Sequence, residues 1–302
     1  MAISLYSRVK VKPLSVSSIE IGFDLPLKLL SGFKSKPSPG QTAELIRPLR
    51  IAAEATLDRV RKRGLGVSFN VECEIPIGAG LGSSASTTVA IAAAISKSLG
   101  VDLSEKELFD VAFIPERYLH GTPSGVDQAT CIHGGMIQFT RPSIVKPISV
   151  DEGPILLLCD TRVHHATKTL VGSVVQKSRK EETIFRDHLS QARDISTGVI
   201  KSLKRGDDDE LGELMSQNHE LLRKIGVSHV KLDKLVRVAN QAGALGAKMT
   251  GAGGGGCIVA LCRNEASRKN IARRLAREGG MPFSISRDDD GVVASTVRGV
   301  LK

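Results

Sequence analysis

No tryptophan occurs in the 302 residues, and aromatic residues of all kinds make up 3%. So small a set of flat side chains argues against a surface that stacks nucleobases. No apolar run is long enough to span a bilayer, and no basic, apolar and small-residue signal segment opens the chain. The expected location is therefore the cytoplasm, with no membrane partner. Cysteine is scarce too: Cys73, Cys131, Cys159, Cys257 and Cys262 are odd in number and scattered through apolar stretches. This speaks against a disulfide framework and reads as reduced, buried small hydrophobes. Only Cys257 and Cys262 lie close together, and they bracket a strand rather than a zinc turn.

Positive charge is what the chain has in excess, with a net +10. The basic residues, however, alternate with acids on helical segments, as in Arg59 to Arg63 after Glu54 and Asp58, or Arg268 to Arg277 between Glu265 and Glu278. Such runs are solvated helix faces, so no nucleic-acid partner is expected, while the overall positive field suits an anionic substrate such as ATP. Hydrophobic residues at 41% and charged residues at 25% describe an ordinary globular protein long enough for two cores.

The most informative stretch is Ile-Pro-Ile-Gly-Ala-Gly-Leu-Gly-Ser-Ser-Ala, from Ile75 to Ala85. Before it, Val67, Phe69, Val71, Cys73 and Ile75 alternate with polar residues, predicting a strand with one buried face. After it, Ala85 to Leu99 predicts a buried helix ended by Gly100. A strand, a glycine loop and a helix start make an anion site, because the backbone can approach a bulky anion and the free amides and helix dipole point at it. Phosphate is the natural occupant. No Lys follows the last glycine, so this is not a Walker A loop, and Gly78, Gly80 and Gly82 give G-x-G-x-G rather than the dinucleotide fingerprint. Ser83 and Ser84 stand where hydroxyls can cap the helix or reach a phosphate-bound metal. A plain strand-to-helix turn would also explain the glycines.

Along the rest of the chain, residues 3–12 and 19–23 alternate as strands, and residues 31–40 read as a Pro, Ser and Lys loop. A helix is expected from Gln41 to about Arg63, closed by Gly64. Ser104 and Glu107 form a capping box for a helix that ends near His120 and presents Glu116 and His120 on one face. A breaker-rich loop, Gly121 to Val126, leads to Asp127, and strands follow at residues 135–140, 144–150 and 155–159. From Lys168 to Ala242 the pattern is helical, with breaks at residues 204–209 and 226–229, so a domain boundary is expected near residue 150. A second glycine-rich element, Ala244 to Gly256, runs into a strand from Cys257 to Cys262. A helix over residues 265–278 and strands near 282–287 and 291–297 complete an α+β chain.

Two of these motifs, Pro76 to Ala85 and Lys248 to Cys257, resemble in order and spacing the glycine motifs of the GHMP small-molecule kinases. Glu116-Arg-Tyr-Leu-His-Gly-Thr-Pro-Ser-Gly-Val-Asp127, followed by Gly134-Gly135, is similar to the branch whose members phosphorylate mevalonate. The resemblance implies a two-domain GHMP kinase fold. Residues 1–150 would form an ATP-binding domain like ribosomal protein S5 domain 2, and residues 151–302 a ferredoxin-like α/β domain. It implies ATP-dependent phosphorylation of the primary hydroxyl of mevalonate to 5-phosphomevalonate, in isoprenoid biosynthesis. The alternatives are another acceptor, phosphomevalonate or a sugar, and a non-catalytic nucleotide-binding homologue.

By the same resemblance, Pro76, Gly78, Ala79, Gly80, Leu81, Gly82, Ser83, Ser84 and Ala85 bind ATP, and Ser84 and Glu116 bind a magnesium ion (Mg2+). Asp127 accepts or orients the proton of the substrate hydroxyl, Thr167 lies near the substrate, and Gly251, Ala252, Gly253 and Gly254 close over it. Plainer readings stand beside these. Ser84 can be a helix cap, Glu116 a solvated helix-end carboxylate, Asp127 the start of the next turn, and His120 a helix-end residue near the negative dipole. His164 and His165, adjacent on a loop with no third ligand, depart from the family pattern and do not suggest a metal site. Small molecules are the expected partners, with a homodimer left open. The resemblance also departs at the start, where the family's first strand, Gly-Lys pair and Gly-Glu-His motif have no match. The expectation is that the chain starts at an internal Met.

Overall fold

The alternation around Val67, Phe69 and Val71 becomes a strand in the computed structural model, which describes residues 1–24, 39–163 and 167–296. Contacts divide the chain into two units. Met1–Ile77, Gly82–Pro147 and the residues from Arg287 onward form the first, and Gly78–Leu81 with Ile148–Ser286 form the second.

In the first unit, β1 (Ser7–Leu14) and β2 (Ile19–Asp24) precede α1 (Pro39–Arg59) and β3 (Gly66–Cys73). Strand β3 is central, antiparallel to β1 and parallel to β2, so α1 serves as the crossover that a parallel pair requires. The chain continues through α2 (Ser83–Ser98), α3 (Glu105–His120) and α4 (Val126–His133) to the hairpin β4 (Ile137–Thr140) and β5 (Ile144–Pro147). Val67, Phe69 and Val71 of β3 pack against Leu49, Ala53 and Leu57 of α1 and Ile91 and Ile95 of α2. The opposite side of α2, Val89, Ala92 and Ala93, meets Leu108, Val111 and Ala112 of α3 and Ile132 of α4. Packing on two sides explains why α2 is rich in alanine: larger residues would hold its neighbours off.

The capping box of α3 forms as expected, and the backbone N–H and hydroxyl of Ser104, with Arg59, hold the Glu107 carboxyl down at about 2. Three expectations need correction. Helix α1 stops at Arg59, where Arg61 at φ 57 takes the left-handed position and Lys62 N–H closes on the Leu57 carbonyl at 2.8 Å. Gly64 therefore does not close it, because the last buried apolar residue is Val60 and β3 must begin at Gly66. The eight-residue α4 was not anticipated. Gly125 at φ 88 turns the chain into it and Gly134 ends it, with Ala129 and Ile132 buried. Residues 291–296 form no strand. The segment is tied back by a backbone bond from Val292 N–H to Ile132 O (3.4 Å), and just before it Gly135 N–H bonds Asp288 O (2.6 Å). Of the loop expected at residues 31–40, Pro39 and Gly40 belong to α1 and the rest lies outside the described residues.

The second unit runs β6 (Ile155–Asp160), α5 (Thr167–Lys180), α6 (Glu182–Arg205), α7 (Asp208–Ile225), α8 (Val230–Gln241), β7 (Gly246–Met249), β8 (Cys257–Cys262), α9 (Glu265–Arg277) and β9 (Met281–Ser284). Its sheet has the order β7-β8-β6-β9 with every neighbour antiparallel. That is the split βαββαβ arrangement of a ferredoxin-like domain, with a helical insertion in the first crossover. Gly206 and Gly226 end α6 and α7 in left-handed conformation, at the breaks read from the sequence. The five cysteines are free, and burial pushes the Cys159 thiol up to about 12, as an inert core residue requires.

One buried histidine ties this unit together. His219 of α7 is 2% exposed; its Nδ1 accepts from Met249 N–H at 3.4 Å and its Nε2 stands 3.3 Å from Asp233 of α8. Burial lowers its pKa below the ordinary 6.5, against Asp233 and Glu220 and with help from Arg223 and Lys248. The fold thus favours neutral imidazole. That contribution is intact above the ordinary pKa and is lost as pH falls below it. The thermal midpoint of the protein should fall more steeply than that of His219→Gln between about pH 7 and about pH 5. Glu116 and Asp127, whose pKa values are raised, act in the opposite sense but are common to both proteins. Parallel curves would show that His219 is not the acid-sensitive group.

Candidate active site

The first turn of α2 is where the first unit gathers its chemistry. Gly82 adopts the left-handed conformation (φ 72) at the helix start, which has no side-chain cap. The Ser84 hydroxyl, free of that duty, donates to Oε1 of Glu116 in a short bond. Glu116 lies near the end of α3 with only 6% of its side chain exposed, and His120, one turn on, places Nε2 3.4 Å from Oε2. Burial raises the Glu116 pKa and Asp127 adds to this, while Ser84, His120 and the Gln128 amide pull it down. The Nε2 atom of Gln128 is buried without a hydrogen-bond partner.

Asp127 reaches the same turn from another direction. It stands in the first turn of α4, close enough that a side chain on Gly82 would bring its Cβ within 3.5 Å of the Asp127 Cβ. Asp127 keeps an exposed surface, yet the protein around its carboxyl raises the pKa above the usual carboxylate value, with His120 opposing. Ser84, Glu116 and Asp127, separated by up to 43 residues, thus converge on one helix start. Among the described residues, no three His, Cys, Asp or Glu side chains gather as a metal site. A hydroxyl beside one buried carboxylate is still a fitting donor pair for a hard cation that keeps waters and takes phosphate oxygens.

In the second unit, the loop Gly78–Leu81 packs on the second glycine loop between β7 and β8. Cys257 N–H donates to Ala79 O at 3.0 Å, and a Cβ on Gly80 would lie 3.2 Å from the Gly251 Cα. Thr161, just after β6, bonds the Gly256 carbonyl through both its N–H (2.9 Å) and its hydroxyl (2.7 Å), and Gly256 N–H reaches Val163 O at 2.7 Å. Gly254 N–H is held by Val227 O at 2.8 Å. The expected glycine element is therefore a tied-down layer, and Thr161 is a contributor that the sequence alone did not reveal. Pro76 and Ala85 are buried at the two ends of the first loop, and Ser83 gives its carbonyl to the Thr87 hydroxyl at 2.8 Å. Gly253 and Ala252 lie within the second loop. The backbone of Thr167 opens α5, but its side chain, like His164 and His165, lies outside the described residues.

Family models match on both sides of this arrangement: GHMP kinases N terminal domain over residues 48–135 and GHMP kinases C terminal over residues 199–280. The chain belongs to the GHMP kinase family. This GHMP kinase is 36% identical to the mevalonate kinase of Thermococcus gammatolerans over 261 residues, covering 84% of this chain and 76% of that protein. The solved structure of L. major mevalonate kinase in complex with R-mevalonate superposes with a TM-score of 0.81 at 27% identity, covering 96% of this chain and 89% of that one. Methanococcus jannaschii mevalonate kinase gives 0.76 at 27% identity, with 95% and 90% covered. The two-domain fold inferred from the glycine motifs is thus that of the GHMP kinases.

Proposed function

We infer that this GHMP kinase transfers the γ-phosphoryl group of ATP to the primary hydroxyl of mevalonate, giving 5-phosphomevalonate for isoprenoid biosynthesis. The convergence of Ser84, Glu116 and Asp127 on the first turn of α2 carries the reading, in a chain 36% identical to a mevalonate kinase. Phosphoryl transfer asks a protein chiefly to position two reactants and to neutralise charge. Asp127, beside Gly82, orients the acceptor hydroxyl and takes its proton as the new O–P bond forms; its raised pKa suits that exchange. Backbone amides from Gly78 to Ser84 bind the phosphates, with Pro76 and Ala85 fixing the loop's ends. Ser84 and Glu116 would hold the magnesium ion, which when bound would screen the phosphate charge.

On this reading, residues 1–150 supply most of the ATP site and residues 151–302 the second glycine loop. Mevalonate and ATP are the partners on this reading. The protein works in the cytoplasm, where its free cysteines stay reduced. Among the described residues no helix is long and apolar enough to cross a membrane.

A panel of acceptors tests the assignment. Mevalonate should release ADP and yield a phosphomonoester visible by phosphorus NMR, whereas phosphomevalonate and galactose should give little. Turnover on one of those and none on mevalonate would reassign the acceptor. Nucleotide binding with no turnover on any acceptor would mark a binding homologue.

A further inference from the structure

His120 has contacts that its place at a helix end does not require. It projects from the last turn of α3 one turn beyond Glu116, keeps about a third of its side chain exposed, and brings Nε2 to 3.4 Å from Glu116 Oε2. The other carboxylate oxygen, Oε1, receives the Ser84 hydroxyl. A carboxylate held at one oxygen turns easily about its last bond, since that torsion has broad wells. A second contact at the other oxygen narrows that rotation. His120 also acts electrostatically on Asp127, as it does on Glu116.

We propose that His120 is a positioning residue: by engaging Oε2 it fixes the rotation of the Glu116 carboxylate and so presets the pair Ser84 and Glu116 for the cation. The proposal rests on the reading of Ser84 and Glu116 as the magnesium-binding pair. It gives the imidazole a task apart from ending the helix, which Gly121 at φ 75 accomplishes with its own N–H to the Arg117 carbonyl. Partners that orient a metal-binding side chain from behind typically change metal affinity by about 10- to 100-fold when removed.

Manganese binding to the full chain in the presence of ADP, followed by electron paramagnetic resonance, tests this without relying on turnover. The variants are His120→Phe, which keeps a ring but no donor, His120→Ala, His120→Gln, which keeps a donor, and Glu116→Gln as the reference. Both donor-free variants should weaken manganese binding about 10- to 100-fold. His120→Gln should recover most of the loss. In steady-state assays the same two variants should need more magnesium for half-maximal rate, with KM for mevalonate nearly unchanged. If His120→Phe and His120→Ala bind manganese as the parent does while Glu116→Gln loses it, the positioning role is wrong and the metal reading stands. If Glu116→Gln also binds normally, the metal reading fails first. Loss in His120→Ala but not in His120→Phe would mean that the ring acts by packing alone, and would overturn the proposal.

Discussion

Asp127→Asn should lower kcat by about 10²- to 10⁴-fold, the range that a positioned proton acceptor contributes. The same variant should bind ATP normally. The structure gives the reason for this split: Asp127 is exposed in the first turn of α4 and abuts Gly82, while α4 itself is held by Gly125, Gly134 and the buried Ala129 and Ile132. Asn has nearly the same shape, so the turn persists while the carboxylate's charge and its capacity to take a proton are lost. Thermal unfolding and nucleotide titration, run beside the rate assay, separate the effects. Near-normal turnover would remove Asp127 from the chemistry, and a collapsed thermal midpoint would return it to the structural reading.

The second large effect is expected at Gly251. A Cβ there would lie 2.7 Å from the Gly80 Cα and 3.1 Å from the Gly80 carbonyl oxygen, in a residue at φ 63. Both neighbours are backbone, so no flexible side chain can give way. Gly251→Ala must either part the two loops or strain them. The left-handed conformation alone costs an L-residue about 1–2 kcal/mol. On the reading that Gly78 to Ser84 bind the phosphates, displacing that loop by an ångström would add a rate loss of about 100-fold. Gly206→Ala is the control. Gly206 has φ 68 at the end of α6, and a Cβ there would meet nothing within 4 Å, so this variant should show the backbone strain and keep full activity. Equal behaviour of the two variants in rate and thermal midpoint would show that the close approach of Gly80 and Gly251 has no bearing on activity.

The parts of the fold that were legible in the sequence are those with an unbroken period. Strand β3 alternates cleanly, α2 is an apolar run bounded by glycine, and the helices of the second unit end where Gly206 and Gly226 punctuate them. Helix α4 is not legible in the sequence because Gly-Thr-Pro-Ser-Gly before it reads as a loop, and eight residues hold too few apolar positions to show a period. Its signals were nonetheless present: an acid in the first turn, buried Ala129 and Ile132 three apart, and Gly134 as a stop. Residues 291–296 hold β-formers but no pairing, since a ladder needs a partner that no local pattern reveals.

At the site, Glu116 and His120 could be placed on one helix face from their spacing alone, but the hydroxyl of Ser84 meeting Glu116 could not. Those two residues are 32 positions apart, and only tertiary packing brings α2 and α3 together. For the same reason the role of Thr161 was invisible: its partner Gly256 is 95 residues away.

The membership of Gly78–Leu81 in the second unit has a practical consequence for dividing this protein. The chain leaves the first unit after Ile77, lends four residues to the second, and returns at Gly82. A fragment beginning at Ile148 would leave the Cys257 amide without its Ala79 acceptor and remove the backbone that lies on Gly251. The complementary fragment, ending at Pro147, would lack the residues from Arg287 onward whose amides and carbonyls bond to Gly135 and Ile132. No single cut in the polypeptide yields both units whole, so the two must be made, and studied, as one continuous chain.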